Sequence, residues 1–540
     1  MNILILFSAC VLGMLCVTLE LEAREYEPTR ESLSGYEVPE WYHDAKIGFF
    51  YHWGPQSVVG EYWNRDVMEF CRQQGRYAGS HTAARNPPGQ WGANMYPKAG
   101  KPENEQNSNY LLHKRFFGDP KEFGYKDLIP LMSSDGFDYK EMVRLLDEAG
   151  VRYFAPMAIH HDGFAMWDSE VVDEFNAAKM GPKLDTVEAV VGEARKRGIK
   201  VGVSTHVARH SWYYGGKGLR GYDVSDPRYV QLYGEGIGEG GLPKPSALKK
   251  WEDTLSELVH RFQPDYIFVD GGTADIFCDT GNYVHQDAFR RIVANYYNDG
   301  LKNGYEPVIS YKRESLWKEE AIPDYEGGNL VGIAPYKWQA HSNVAGWFYR
   351  PGQSVVKSHI LFRKTIDVVS KNGNMLLNLG LKGDGSMQDA DIAFLKDLAT
   401  WTKALGEGIF ETRPWLVYGE DSQGKPKPVV ENGFRGIVYD DPSRTSSARV
   451  KLIGGDLRYT KSKNGRVIYG TILAWPKESI VLRSFGRDGV GKDLKVAKVS
   501  LLGSDEKIVW KQTAKGIEIQ APRNPVFENL DWPVMFKLEL

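Results

Sequence analysis

Residues Tyr153–Trp167 read YFAPMAIHHDGFAMW. An apolar run stops abruptly at His160-His161-Asp162-Gly163-Phe164, the signature of a buried parallel strand whose C-terminal edge carries hydrogen-bonding side chains. Two other runs end in the same way. Tyr266–Val269 leads into Asp270-Gly271-Gly272, and Ile47–Tyr51 into His52-Trp53-Gly54. In parallel-sheet enzymes that edge is where substrates sit, so these runs predict a barrel mouth built for a polar ligand.

Outward from these strands, strand-like and helix-like segments alternate. Strands are expected at Lys46–His52, Lys200–Thr205, Tyr266–Asp270, Pro307–Lys312 and Met375–Leu379. Helices are expected at Tyr139–Ala149 (capped by Asp138), Thr186–Arg197 (stopped by Gly198), Ser246–Phe262, Ser354–Ser370 and Asp389–Leu405. The repeated units predict an α/β fold, a (β/α)8-like TIM barrel over residues 36–412. An open doubly wound sheet is the alternative, but no Gly-rich phosphate loop follows the first strand. A Gly/Pro/Asn-rich insertion over residues 64–136 is too long for an ordinary loop and is expected to fold over the mouth. From residue 416 to 540 short alternating segments split by turn residues predict a C-terminal antiparallel β-sandwich, with strands at Gly436–Tyr439, Val467–Ala474, Ser479–Ser484, Val496–Leu502, Gly516–Gln520 and Val534–Leu540.

The balance of 67 basic against 70 acidic residues, net −3, gives no field for a polyanion, so nucleic acid is not an expected partner. The 15 Trp and 29 Tyr point toward carbohydrate, whose C–H faces stack on aromatic rings, although a large core uses aromatics too. The apolar run at residues 3–19 has the length of a signal peptide. Residues 1–23 are therefore expected to direct export to the periplasm or beyond, against a retained membrane anchor, even though no Lys or Arg precedes the run. Cys10 in Phe7-Ser8-Ala9-Cys10 sits too near the start for a lipoprotein box. After cleavage Cys71 and Cys278 remain, too few for a disulfide framework.

Glycoside hydrolysis needs two carboxyl groups flanking one bond. Asp270, at a strand end before two glycines, is one candidate. Glu326, in a loop expected after the next barrel strand, is the other, set against the readings that Asp270 caps a turn and Glu326 is merely solvated. Neighbouring strand residues point to opposite faces, so His160 and His161 are not expected to share a metal ion; hydrogen bonding to a polar ligand suits them better. His52 with Trp53, and His206 with His210, are weighed as ligand-binding groups against structural ones. Neither a nucleophile elbow nor a phosphate loop occurs.

Together KIGFFYHWG (46–54), DEAGVRYFAPMAIHHDGF (147–164), GPKLDTV (181–187), PDYIFVDGG (264–272) and VVSKNGNMLLNLGLKGDG (368–385) make the chain resemble family 29 glycoside hydrolases, the α-L-fucosidases. The resemblance implies an exo-acting retaining hydrolase of terminal α-L-fucosyl residues, needing no cofactor or metal. Asp270 would be its nucleophile and Glu326, counted from the family-like Arg313, its acid/base, about 5 Å away and with a raised pKa. It implies a substrate-binding set of His52, Glu61, Trp63, His160, His161, His206, Phe268, Arg313 and Trp338. The chain departs from the family pattern at Ile159, at Phe268, at Ser204-Thr205-His206 and at Lys337-Trp338-Gln339, where Gln339 removes a competing acid/base candidate. These departures and the insertion keep open an α-L-galactosidase acting on galactan, sulfated if Lys98, Lys101, Arg209 and Lys217 meet it, and a catalytically silent sugar-binding protein.

Overall fold

The computed structural model describes residues 25–63, 66, 67, 69, 91–98, 100–102, 105–214, 219–238, 242–270, 284–312, 315–328, 330, 332–421, 426, 427, 452 and 454–540. The expected signal segment at residues 1–23 and the expected strand Gly436–Tyr439 lie outside them.

Nine parallel segments make the barrel: β1 Ile47–His52, β2 Tyr153–Ala155, β3 Met157–Ile159, β4 Lys200–Thr205, β5 Tyr266–Val269, β6 Val308–Lys312, β7 Ile322–Glu326, β8 Trp338–Asn343 and β9 Gly373–Gly380. Their order is β2-β1-β9-β8-β7-β6-β5-β4-β3, and β2 also pairs with β4, so the sheet closes. β2 and β3 are halves of one stave broken at Pro156, which has no N–H to give the ladder. The closed cylinder therefore has eight staves. Two of them, β7 and β8, were not among the strands expected from the sequence.

Side chains alternate between two packing clusters, as the two-residue period of a strand requires. Phe50, Tyr153, Ala155, Tyr266, Phe268, Val308, Ile322 and Leu376 pack inside the barrel over a plug formed by Tyr42. Phe49, Tyr51, Phe154, Ile267, Val269, Ile309 and Leu377 belong to the larger core between strands and helices. Two residues beyond the inward Phe50 stands His52; beyond Phe268, Asp270; beyond Val308 and Ser310, Lys312; beyond Ile322 and Asp324, Glu326; and beyond Leu376, Asn378. The core pattern thus dictates which polar side chains meet at the mouth.

The floor is polar but satisfied. Gln339 Oε1 accepts from the hydroxyls of Tyr42 (2.8 Å) and Tyr153 (2.9 Å), while its Nε2 donates to Tyr266 (2.7 Å) and to Asp324 Oδ2 (2.6 Å). An amide is required here, because a carboxylate could not donate to Asp324. Gln339 therefore lies one inward layer below Glu326, in register with Asp324, and its replacement of a family Glu bears on floor packing. Trp338, expected to bind substrate, is the first residue of β8, so it sits fully buried at the base and donates from Nε1 to Lys371 O (2.8 Å).

Thr412 opens the C-terminal domain. β10 Thr412–Glu420, β11 Pro426–Lys427, β12 Leu457–Ser462, β13 Val467–Ile472, β14 Ile480–Leu482, β15 Lys498–Leu501, β16 Trp510–Thr513, β17 Gly516–Ile519 and β18 Val534–Glu539 form a six-stranded sheet, β11-β10-β12-β13-β18-β15, and a three-stranded one, β14-β17-β16. All their pairings are antiparallel. Buried Asp367, on the helix Ser358–Ser370, pairs with Lys371 (2.7 Å) and with Arg458 of β12, pinning this domain to the barrel. A charge so deeply buried is tolerable only because it is doubly paired.

Gly48 faces inward, where a Cβ would overlap the Tyr153 ring that Gln339 holds in place. Gly48→Ala is expected to lower unfolding free energy by about 1–3 kcal/mol, the usual cost of overpacking. Urea unfolding would measure it, and an unchanged midpoint would show that the ring can move aside.

Candidate active site

Asp270, immediately after β5, is the hub of the mouth. Its Oδ2 lies 2.9 Å from His206 Nδ1 and 3.3 Å from His161 Nε2, and its Oδ1 lies 2.6 Å from Lys312 Nζ. The same Lys312 nitrogen lies 2.9 Å from Glu326 Oε2. Two carboxylate oxygens bonded to one nitrogen can be no further apart than those lengths end to end, about 5.5 Å, which is the range of retaining glycosidase pairs. The Asp270 and Lys312 side chains are 16% and 11% exposed, whereas Glu326 is 49% exposed and faces the opening.

The electrostatics follow from that arrangement. Burial alone pushes the Asp270 carboxyl up, but Lys312, His161 and His206 together outweigh it and hold the group well below the usual range. Lys312 also holds Glu326 below its ordinary value, with a smaller push from His341, against burial and the nearby Asp270 charge. Solvent at the half-open Glu326 screens these effects. Both carboxyls are therefore ionised in the free site, whereas the family resemblance calls for a raised Glu326 pKa. Burial works to lower Lys312, yet Asp270, Glu326 and Asp324 outweigh it, and the side chain stays an ammonium.

Burial keeps His52, His160 and His206 neutral, the last with its pKa lowered to about 4. Neutral imidazoles have one donor and one acceptor nitrogen, and their neighbours decide which is which. Asn378 Nδ2 donates to Gly346 O (2.8 Å) and Trp347 O (2.9 Å), so its Oδ1 accepts from His52 Nδ1 (2.6 Å) and leaves His52 Nε2 a bare acceptor. Gln56 Oε1 accepts from Trp91 N (3.0 Å) and Tyr213 Oη (3.2 Å), so its Nε2 donates to His160 Nδ1 (2.9 Å) and leaves His160 Nε2–H a donor. An acceptor and a donor side by side fit sugar hydroxyls, which do both. His52, His160 and His206, and separately His161, His206 and Asp270, come close enough to hold a cation. A proton on His160 Nε2 is the wrong polarity for the first set, and hydroxyl recognition explains the pattern better.

The model of the family described as alpha-L-fucosidase matches residues 14–407, and that of the alpha-L-fucosidase C-terminal domain matches residues 451–539. The chain belongs to the alpha-L-fucosidase family. This family member is 24% identical to the tissue alpha-L-fucosidase of Rattus norvegicus, over 94% of its own length and 90% of that protein. It is 22% identical to the plasma alpha-L-fucosidase of Homo sapiens, over 93% and 89%. The Thermotoga maritima alpha-fucosidase structure shares its fold with a TM-score of 0.66 at 23% identity, covering 95% of this chain and 100% of that one.

Within this glycoside hydrolase, the structure gathers Asp270, Glu326, His52, His160, His161 and His206 at one mouth, with Phe268 one layer below. Phe268 packs on His206 and His341 as the apolar base of the pocket. Glu326 is the last residue of β7 rather than part of a loop. His160 and His161 fall in the turn beyond β3, so strand alternation does not part them, and their ring centroids are 4.6 Å apart. Glu61 is exposed at the rim, accepting from Gly383 N (3.3 Å), and Trp63 is buried against Trp91 with Arg350 over its ring; these contacts lie outside the Asp270 cluster. Arg313 lies outside the described residues. Its neighbour Lys312, missed from the sequence, holds the inward position; the alternation Val308, Ser310, Lys312 was the available signal. Lys101 pairs with Glu105 (3.0 Å) as an ordinary surface ion pair, and Lys217 lies outside the described residues.

The described parts of the insertion reach the site indirectly. Trp91 anchors Gln56 behind His160, and Tyr125 Oη donates to Asp162 Oδ2 (2.5 Å), while Asp162 Oδ1 accepts from Phe164 N (3.0 Å) and so braces the His160–Gly163 turn. Gln56→Leu removes the donor to His160 and strands two buried donors. It is expected to cost about 1–3 kcal/mol in urea unfolding and to let the His160 proton move to Nδ1. Ring ¹⁵N shifts would read this, and an unchanged tautomer would show that Gln56 does not set it.

Proposed function

We propose that the protein is an exported, exo-acting retaining α-L-fucosidase. The observation that carries this reading is the pair Asp270 and Glu326, set across one barrel mouth within about 5.5 Å beside a donor–acceptor histidine pair. Low-pKa, largely shielded Asp270 is the nucleophile. An Asp270 oxygen bonds to the anomeric carbon as the glycosidic C–O bond breaks, and Glu326 delivers its proton to the leaving oxygen. Glu326 then takes a proton from water as the water oxygen attacks the anomeric carbon and releases Asp270. His52 and His160 hold sugar hydroxyls as acceptor and donor, and Phe268 closes the pocket beneath the ring.

The partner is a fucosylated oligo- or polysaccharide. Export rests on the apolar run at residues 3–19; among the described residues no helix is long and apolar enough to cross a membrane. The second reading is α-L-galactoside hydrolysis, favoured by the departure from the family pattern at Ser204-Thr205-His206 and by the long insertion. The two sugars differ by one C6 hydroxyl, which a pocket discriminates by only about 100-fold unless it is tightly packed there. A silent binding protein would have no use for two ionised carboxylates held across one cation.

Turnover of aryl α-L-fucoside and aryl α-L-galactoside, followed by released sugar, separates these readings. Asp270→Gly should abolish turnover, and azide should restore it with an inverted glycosyl azide as product. Near-normal turnover of Asp270→Asn would remove it from the nucleophile role. Glu326→Ala should lose roughly 10²–10⁴-fold on substrates with poor leaving groups and far less on activated aryl glycosides. Equal losses on both would remove Glu326 from the acid role.

A further inference from the structure

Acid catalysis needs a proton on Glu326, yet the free site keeps Glu326 ionised beside Lys312. An ammonium next to the nucleophile also opposes the positive charge that develops at the anomeric carbon. Nothing in the hydrolysis of a neutral glycoside calls for a cation there. Lys312 is nevertheless largely shielded from solvent at the end of β6, 2.6 Å from one carboxylate and 2.9 Å from the other, with the Asp324 charge nearby. Asp324 is bonded through Oδ2 to Gln339 Nε2 and through Oδ1 to His341 Nδ1, and the ion pairs of Lys312 are with Asp270 and Glu326.

We propose that Lys312 is a positioning residue that switches Glu326 between acid and base by sharing its ammonium unequally between the two carboxyls during the cycle. The inference rests on the assignment of Asp270 as nucleophile and Glu326 as acid/base. With a sugar seated between the carboxyls, its leaving oxygen takes the place of Lys312 beside Glu326, and the ammonium stays on Asp270. Released from its cation and shielded from water by the substrate, Glu326 takes up a proton from solvent. In the first step that proton goes to the leaving oxygen, which also keeps the electron pair of the broken C–O bond. Asp270 becomes an uncharged ester. Lys312 now has Glu326 as its one ionised partner at the mouth and holds it as a carboxylate, ready to accept the proton of the incoming water. Breaking the ester returns the charge to Asp270 and restores the shared state. Lys312 keeps its three protons throughout.

The groups that bear on this linkage are identifiable. His161, His206 and Lys312 face Asp270; Lys312, His341 and Asp270 face Glu326, with Lys364 of the helix Ser358–Ser370 as a more remote charge. Lys312 is the one cation shared by both among the described residues. The acid limb of a kcat/KM profile reports ionisation of Asp270 and the alkaline limb loss of the Glu326 proton. Removing a cation at this range raises both pKa values, so in Lys312→Met both limbs should move upward by roughly one to three pH units, while Lys312→Arg should keep them near their wild-type places. Lys312→Gln serves if the Met variant does not fold. A variant that is slower at every pH with both limbs unmoved would overturn the proposal. Carboxyl ¹³C titration, assigned with Asp270→Asn and Glu326→Gln, reads the same two ionisations without turnover. Titrations that do not respond to Lys312→Met overturn it as well. Titrations that shift in an enzyme inert toward both aryl glycosides leave the Lys312 linkage standing and defeat the fucosidase reading instead.

Discussion

The side-chain alternation of eight parallel staves is the constraint from which the site follows. Tyr266, Phe268 and Asp270 climb one stave; Val308, Ser310 and Lys312 the next; Ile322, Asp324 and Glu326 the third. A slip of one residue in any of them would turn its charged tip into the helix layer and expose an apolar residue at the mouth. The floor resists such slips. Gln339 is satisfied by Tyr42, Tyr153, Tyr266 and Asp324 at once, which ties β2, β5, β7 and β8 to one amide. Register at the base thereby sets geometry at the rim, with Phe50 and Phe268 as the packed layer between.

Chemistry at the rim is a matter of charge arranged in low dielectric. In the proposed mechanism three neutral histidines give directional hydrogen bonds without adding charge beside the anomeric centre, and the carboxylates give the reactive charge. Their second-layer partners, Asn378 and Gln56, are amides whose own orientation is fixed by further bonds, so tautomer choice is inherited from outside the pocket. The insertion contributes through this route. Trp91 and Tyr125 brace Gln56 and Asp162, which explains how the described parts of a segment remote in sequence help shape the site. The β-sandwich is coupled by the buried Asp367, Lys371 and Arg458 cluster and buttresses the helix that precedes β9.

Much of this was legible in the residues. The strands that lead to His52, His160 and Asp270 are apolar runs, and their polar ends marked the mouth. β7 and β8 were not legible, because IPDYE and WQAHSN place polar residues on both the floor and the rim and lack the apolar signature of a buried stave. That gap put Glu326 in a loop and raised Trp338 from the base of the barrel to its mouth. Alternation was also carried one turn too far at His160-His161, where the strand has already ended. Lys312 escaped notice for a different reason. A lysine at a strand end ordinarily reads as a solvated terminus, and only the positions of Asp270 and Glu326 around it show that it is buried between them.

The account stands on Asp270 as the group that bonds to the sugar. Incubation with 2-fluoro-fucosyl fluoride, followed by intact mass and peptide mapping, tests this most directly, since fluorine at C2 slows release of a covalent glycosyl-enzyme. One added 2-fluorofucosyl unit per chain, carried by the peptide containing Asp270, is the predicted result. An adduct on another side chain, or turnover of fucosides with no adduct under conditions that consume the reagent, would contradict it.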